Sequence, residues 1–145
     1  MKAQIIEKIR DIATIINEET RQCRDYGTGH SLYHSEVHLI VAIFNHRDAN
    51  ASELAQALDI TNGAVTQVAD KLSKKGLIER YRIKGNKKDT FFRLTEQGER
   101  IYWGHEKHHN KMNTKVMEYL EDLEEDQVKL IVTFLDKVIE GFALN

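Results

Sequence analysis

Proline is absent from the 145 residues, so glycine, asparagine, aspartate and clusters of charge must do the punctuating. A single cysteine, Cys23, excludes an intramolecular disulfide framework and favours a reducing compartment. Long apolar runs are missing too. The opening MKAQIIEKIRDIA is broken by Glu7, Lys8, Arg10 and Asp11, which fits neither a signal peptide nor a membrane span. These absences point to a cytoplasmic protein that does not enter a membrane. Internal repeats and low-complexity tracts are also lacking.

The apolar fraction is 41% and the charged fraction 30%, an ordinary globular composition. The length predicts one domain, 1–145, large enough for a hydrophobic core without a metal or disulfide. Net charge is only −2, but it is unevenly spread. Between Asp70 and Arg93 nine basic residues face three acidic ones, giving +6 in 24 residues and −8 in the other 121. Such a stripe is either a solvated charged face or the footprint of phosphate-backbone binding.

Apolar spacing predicts a first helix over about 3–24, with Ile5, Ile6, Ile9, Ile12, Ala13 and Ile16 in one stripe, and a second over about 34–47. Asn50 and Glu53 form a capping-box pattern opening a short helix, 51–58. Thr61 caps the next, whose inner face is Ala64, Val65, Val68, Ala69 and Leu72, and Gly76 ends it. Two extended runs, 77–83 and 90–94, flank the basic turn 84–89 and read as a hairpin. Thr95 opens a helix to about 120, and a last one spans about 124–142 with Val128, Ile131, Leu135, Val138 and Phe142 on one face.

Two short helices joined by a tight turn and followed by a basic hairpin read as a winged helix-turn-helix. The fold class is mainly α (α+β), with a DNA-binding core over 34–99. A core of about 65 residues cannot cover the apolar stripes of both end helices. Segments 1–30 and 100–145 are therefore assigned to dimerisation, a symmetric pair being the commonest solution.

The run from Ser52 to Ile101 resembles the MarR (multiple antibiotic resistance regulator) family of bacterial transcription regulators. The resemblance rests on Leu54-Ala55 with Leu58, Ala64-Val65-Thr66 through Leu72, Lys75-Gly76-Leu77-Ile78 with Arg80, and Leu94-Thr95-Glu96-Gln97-Gly98. Asn62 stands where the family often has proline, and Asn86-Lys87-Lys88 replaces the usual acidic-Arg-Arg tip of the wing. Lysine keeps the charge there but lacks arginine's fork. The resemblance implies a homodimer on a pseudo-palindromic operator in double-stranded DNA, usually a repressor relieved by a small-molecule or metal effector.

Turned away from its apolar side, the Thr61 helix shows Asn62, Gly63, Thr66, Gln67, Asp70, Lys71 and Lys74. Asn62 and Gln67 suit adenine edges, and Thr66 a thymine methyl or a phosphate. Lys71 and Lys74 suit phosphates, and Gly63 permits close approach. Arg82, Lys84, Lys87 and Lys88 belong to the wing. Ser52 and Thr61 are phosphate ligands or simply helix starters.

His105-Glu106-Lys107-His108-His109 spells H-E-x-x-H, the helix signature of zinc proteases. Glu121, Glu124 or Glu125 could add a ligand, but the surrounding chain offers no edge strand to hold a peptide. The expectation is not an enzyme. No cofactor is required. The resemblance implies a different metal reading: zinc-sensing members take two histidines from this part of the long helix and one from the second helix. That makes His38, His105 and His109 candidate ligands, with Cys23, His30 or His34 for a fourth position. Members responding to lipid-linked effectors share Glu36-x-His38 and the histidine pair without metal. Cys23, between Arg21 and Arg24, is also a candidate redox thiol.

Overall fold

A computed structural model describes residues 1–143, apart from the side chain of Met112. Six helices and one two-stranded antiparallel ribbon follow in the order α1 (Lys2–Arg21), α2 (His34–Asn45), α3 (Ala51–Leu58), α4 (Asn62–Lys74), β1 (Ile78–Tyr81), β2 (Phe91–Leu94), α5 (Glu96–Glu121) and α6 (Glu125–Ala143). The chain divides into two compact units, 1–106 and 107–145, the boundary falling inside α5.

The core of the first unit is made by α2, α3, α4, the ribbon and the start of α5. Leu39, Ile40, Leu54, Val65, Leu72, Leu77 and Ile101 are fully buried there. Local chemistry fixes the helix ends. Glu53 N–H donates to Asn50 Oδ1 and Asn50 N–H to Glu53 Oε2, at 2.9 and 2.8 Å, which is the reciprocal capping box. Thr61 Oγ1 accepts from Ala64 N–H at 3.1 Å to open α4. At the other end Leu77 N–H reaches Leu72 O and Gly76 N–H reaches Ser73 O. Gly76 takes a φ of 69°, the left-handed turn that glycine makes without strain.

The first helix is shorter than its apolar pattern suggests. It stops at Arg21, because the Arg24 and Leu32 backbones exchange two hydrogen bonds that pull residues 22–32 into a closed loop. Inside that loop Asp25 Oδ1 accepts the N–H groups of Gly27, Thr28 and Gly29. No residue of α1 is buried, and Ile5, Ile6, Ile12, Ile15 and Ile16 are all exposed.

Ile78 lies opposite Leu94 and Tyr81 opposite Phe91, with a further bridge from Asn50 to Phe91. The strands end sooner than the sequence pattern implies because Asn86 organises the turn. Its N–H reaches Ile83 O, and its side-chain oxygen takes Lys88 N–H and Asp89 N–H. The second unit holds the rest of α5 and α6. Glu124 N–H is capped by Gln127 Oε1 at 2.9 Å. No α6 residue is buried, and Leu130, Leu135, Ile139 and Phe142 are exposed.

Candidate nucleic-acid interface

The inner side of α4 is Val65, Ala69 and Leu72, all buried, with Ala64 and Val68 half-buried. Its opposite side exposes Asn62, Gly63, Thr66, Gln67, Asp70, Lys71 and Lys74. Burial on α3, α2 and β1 orients the helix, so this polar face is held rigidly outward. Thr66 donates its hydroxyl back to Asn62 O at 3.0 Å, leaving its oxygen lone pair and methyl group outward-capable. Thr61 is engaged as the helix cap, the structural of its two expected roles. At Gly63 an added Cβ would meet only Thr61 Oγ1 at 3.9 Å, so packing within the fold does not require glycine there.

A notch of about 240 Å³ joins α3, α4 and the wing, with Ser52, Asn62, Thr66, Arg80 and Lys88 among its walls. It brings together residues from three separate segments of the basic stripe and its surroundings. On the wing, Arg82 Nη1 donates to Lys87 O at 3.0 Å and so braces the turn. Lys71, Lys74, Lys84, Lys87 and Lys88 are exposed, and none takes part in a salt bridge among the described residues. Their charge is thus available to an external anion. Arg80, counted in the basic stripe but not among the residues expected to touch DNA, also lines the notch. Its Nη2 donates to Asp70 across α4 and β1, a pairing set by fold and invisible in the local pattern.

The histidines fall into groups. His34 and His38 lie on α2 with ring centroids 3.6 Å apart and ring planes tilted by 49°, and His38 and His105 lie 6.5 Å apart edge to face. His105 is buried and also meets Tyr26 at 5.6 Å. His109 belongs to the second unit; Cys23 is exposed. Beside Cys23 the Tyr33 phenol is held above its ordinary pKa, chiefly by a hydrogen bond with the thiol. His30 Nδ1 is 3.0 Å from Thr28 Oγ1. The described residues contain no group of three or more His, Cys, Asp or Glu side chains able to hold a metal. No described helix is long and apolar enough to cross a membrane.

The MarR family model matches residues 32–90, the segment that builds α2 through the wing. The transcriptional regulator PchR of Bacillus subtilis is 30% identical over 104 residues, a match covering 72% of this chain and 62% of the relative. The chain thus aligns with about three-fifths of that relative's length. Among solved structures, the zinc-responsive MarR family member ZitR of Lactococcus lactis superposes with a TM-score of 0.80 at 21% identity, over 97% of this chain and 98% of that one. FabT of Streptococcus pneumoniae, solved in complex with DNA, gives 0.73 at 23% identity, over 99% and 98%. Family segment, element order and fold agree: residues 32–90 match the MarR family model, and the chain folds as that family's solved members do.

Proposed function

We propose that the chain is a DNA-binding transcriptional regulator, acting as a homodimer on a pseudo-palindromic operator and serving as a repressor relieved by an effector. The notch that joins Ser52, Asn62, Thr66 and Lys88 carries this reading. It makes the outer face of α4 and the wing one continuous polar surface with uncommitted lysines. The helix suits a major groove, where Asn62 and Gln67 can pair with adenine edges. Lys71, Lys74 and the wing lysines 84, 87 and 88 neutralise phosphates. Segments 1–30 and 100–145 supply the dimer contact, supported by the unburied isoleucines of α1 and the exposed apolar residues of α6. On this reading His105-Glu106-x-x-His109 has no hydrolytic role; the relatives are named as regulators.

The test is binding of the full chain to a fluorescein-labelled duplex across a KCl series. Affinity should fall steeply with salt, and Lys87→Ala with Lys88→Ala should flatten the slope by up to about 0.9 per lost contact. Binding that is independent of salt and of both lysines would overturn the proposal.

A regulatory zinc is the second reading, favoured by the gathering of His34, His38 and His105 and by the likeness to ZitR. Tetrahedral zinc wants four ligands, more than the described residues bring to one place. Zinc titration of the wild type against His38→Ala/His105→Ala separates this from an organic effector. Equal, weak binding by both proteins excludes the metal.

A further inference from the structure

A second cleft, of about 480 Å³, lies between the end of α2, the ribbon and the first turn of α5. It shares only Phe92 with the notch and holds none of the lysines assigned to DNA. Its size is that of a small-molecule site. Ile43, Phe44, Phe92 and Leu94 give it an apolar lining. Phe44 is fixed there: Tyr102 stacks on it with ring centroids 3.7 Å apart, and Trp103 meets it edge-on at 5.6 Å. Of the charged side chains that line the rest, Asp48 accepts the Tyr81 hydroxyl at 2.6 Å, and Arg93 Nε donates to Glu79 at 2.8 Å. Arg47 and Glu99 are left. Among the described residues neither takes part in an ion pair or a side-chain hydrogen bond, although they carry opposite charges and line one cleft.

We propose that this cleft binds a free aromatic amino acid. The Arg47 guanidinium carbon lies 5.9 Å from the centre of the Phe44 ring, and its fork of N–H groups suits a carboxylate. Glu99 suits an ammonium. The lining suits an aromatic ring, which packs on the faces and edges of Phe44, Tyr81 and Phe92. A ligand with one charge would leave either Arg47 or Glu99 unanswered beside it; a zwitterion answers both. The proposal deepens the regulator reading by naming the class of effector, and rests on that reading only for any effect on DNA. Binding itself is tested without DNA, so the two can fail separately.

Trp103 is the only tryptophan of the chain, and its edge contact with Phe44 makes its fluorescence a reporter for this cleft. The full chain is titrated with L-phenylalanine, which does not absorb in the tryptophan band, by calorimetry and by Trp103 emission. Hydrocinnamate has the same skeleton without the ammonium, and phenethylamine has it without the carboxylate. L-Phenylalanine should bind saturably and change the emission. Each single-charge analogue should bind roughly tenfold more weakly or worse, the loss expected for one charge-assisted hydrogen bond.

Arg47→Gln should weaken L-phenylalanine roughly tenfold and leave phenethylamine unchanged. Glu99→Gln should weaken L-phenylalanine as much and leave hydrocinnamate unchanged. This crossing of variants with analogues assigns each ligand charge to one residue, which a merely structural disturbance would not do. Both side chains are exposed, so both variants should melt with the wild type. Absence of saturable L-phenylalanine binding overturns the proposal. Equal binding of hydrocinnamate also overturns it, by making the ligand a simple aromatic acid, and so do variants that weaken all three compounds alike. A wild type that binds L-phenylalanine as expected but shows no salt-dependent affinity for duplex keeps the site and removes the DNA reading.

Discussion

Lys75 Nζ lies 2.8 Å from Glu36 Oε1 and ties the end of α4 to the first turn of α2. The same ammonium donates to Ser31 O at 3.1 Å, and the other Glu36 oxygen accepts Tyr33 N–H at 2.9 Å. Glu36 is 2% exposed, and Lys75 shields it with a long stem whose head reaches the edge. One buried carboxylate therefore joins three segments: the loop after α1, the start of α2 and the C-cap of α4.

Removing one partner should cost more than removing both. Lys75→Met leaves the Glu36 charge buried with a single backbone donor, and should destabilise the fold by about 2–3 kcal/mol. Combining Lys75→Met with Glu36→Gln removes the stranded charge and should recover a large part of that loss. Urea midpoints of the three variants check the order. Additive losses would mean that the two groups do not support each other.

The start of α5 is seated by two glycines. A Cβ on Gly98 would lie 2.1 Å from Leu77 O, and one on Gly104 would lie 2.3 Å from Tyr26 O. Both obstacles are backbone carbonyls, which cannot swing aside like a side chain. Gly98→Ala and Gly104→Ala should each lower stability by about 1–3 kcal/mol or more, despite alanine's better helix propensity. Thermal melts that match the wild type would show that α5 can slide off both contacts.

What the sequence made legible was local. Asn50 with Glu53 and Thr61 mark helix starts because each cap closes within three residues. Val65, Ala69 and Leu72 reveal the buried side of α4 by spacing alone. The misjudged boundaries depend on partners further away. The α1 end is set by the Arg24–Leu32 bridge, and the strand ends by the Asn86 side chain capturing Lys88 and Asp89. The Arg80–Asp70 contact was hidden for the same reason: it needs the ribbon register and the α4 docking angle, neither of which is written in a run of neighbouring residues. The histidine pattern was legible as spacing, yet its spatial division between α2, α5 and two units was not.

Acid should loosen the loop after α1. The Asp25 carboxyl is held below its ordinary value of 3.8, first by the Gly27 N–H, then by those of Thr28 and Gly29 and the nearby His30. A depressed carboxylate contributes stability that is complete above the ordinary value and is lost as pH falls through the lowered one. Asp25→Asn keeps an acceptor oxygen but cannot titrate. Urea midpoints measured near neutrality and at about pH 3 should therefore fall less in Asp25→Asn than in the wild type. An identical fall would place the acid sensitivity elsewhere.

Gly63 offers the cleanest separation of folding from DNA contact. It is the second residue of α4, with an ordinary negative φ, and an added methyl would meet only Thr61 Oγ1 at 3.9 Å. The fold therefore gives no reason for glycine, and alanine's higher helix propensity should stabilise α4 by up to about 1 kcal/mol. If the start of this helix lies against the DNA backbone, the same methyl occupies the space where the duplex must come. Gly63→Ala should then melt at or above the wild-type temperature while binding duplex more weakly, two effects of opposite sign. Its salt slope should stay close to the wild type's, since no charged contact is lost, in contrast to the wing lysine variants. Wild-type affinity in Gly63→Ala would show that the helix start stands clear of the backbone, and would shift the contact toward Gln67 and Lys71 further along the exposed face.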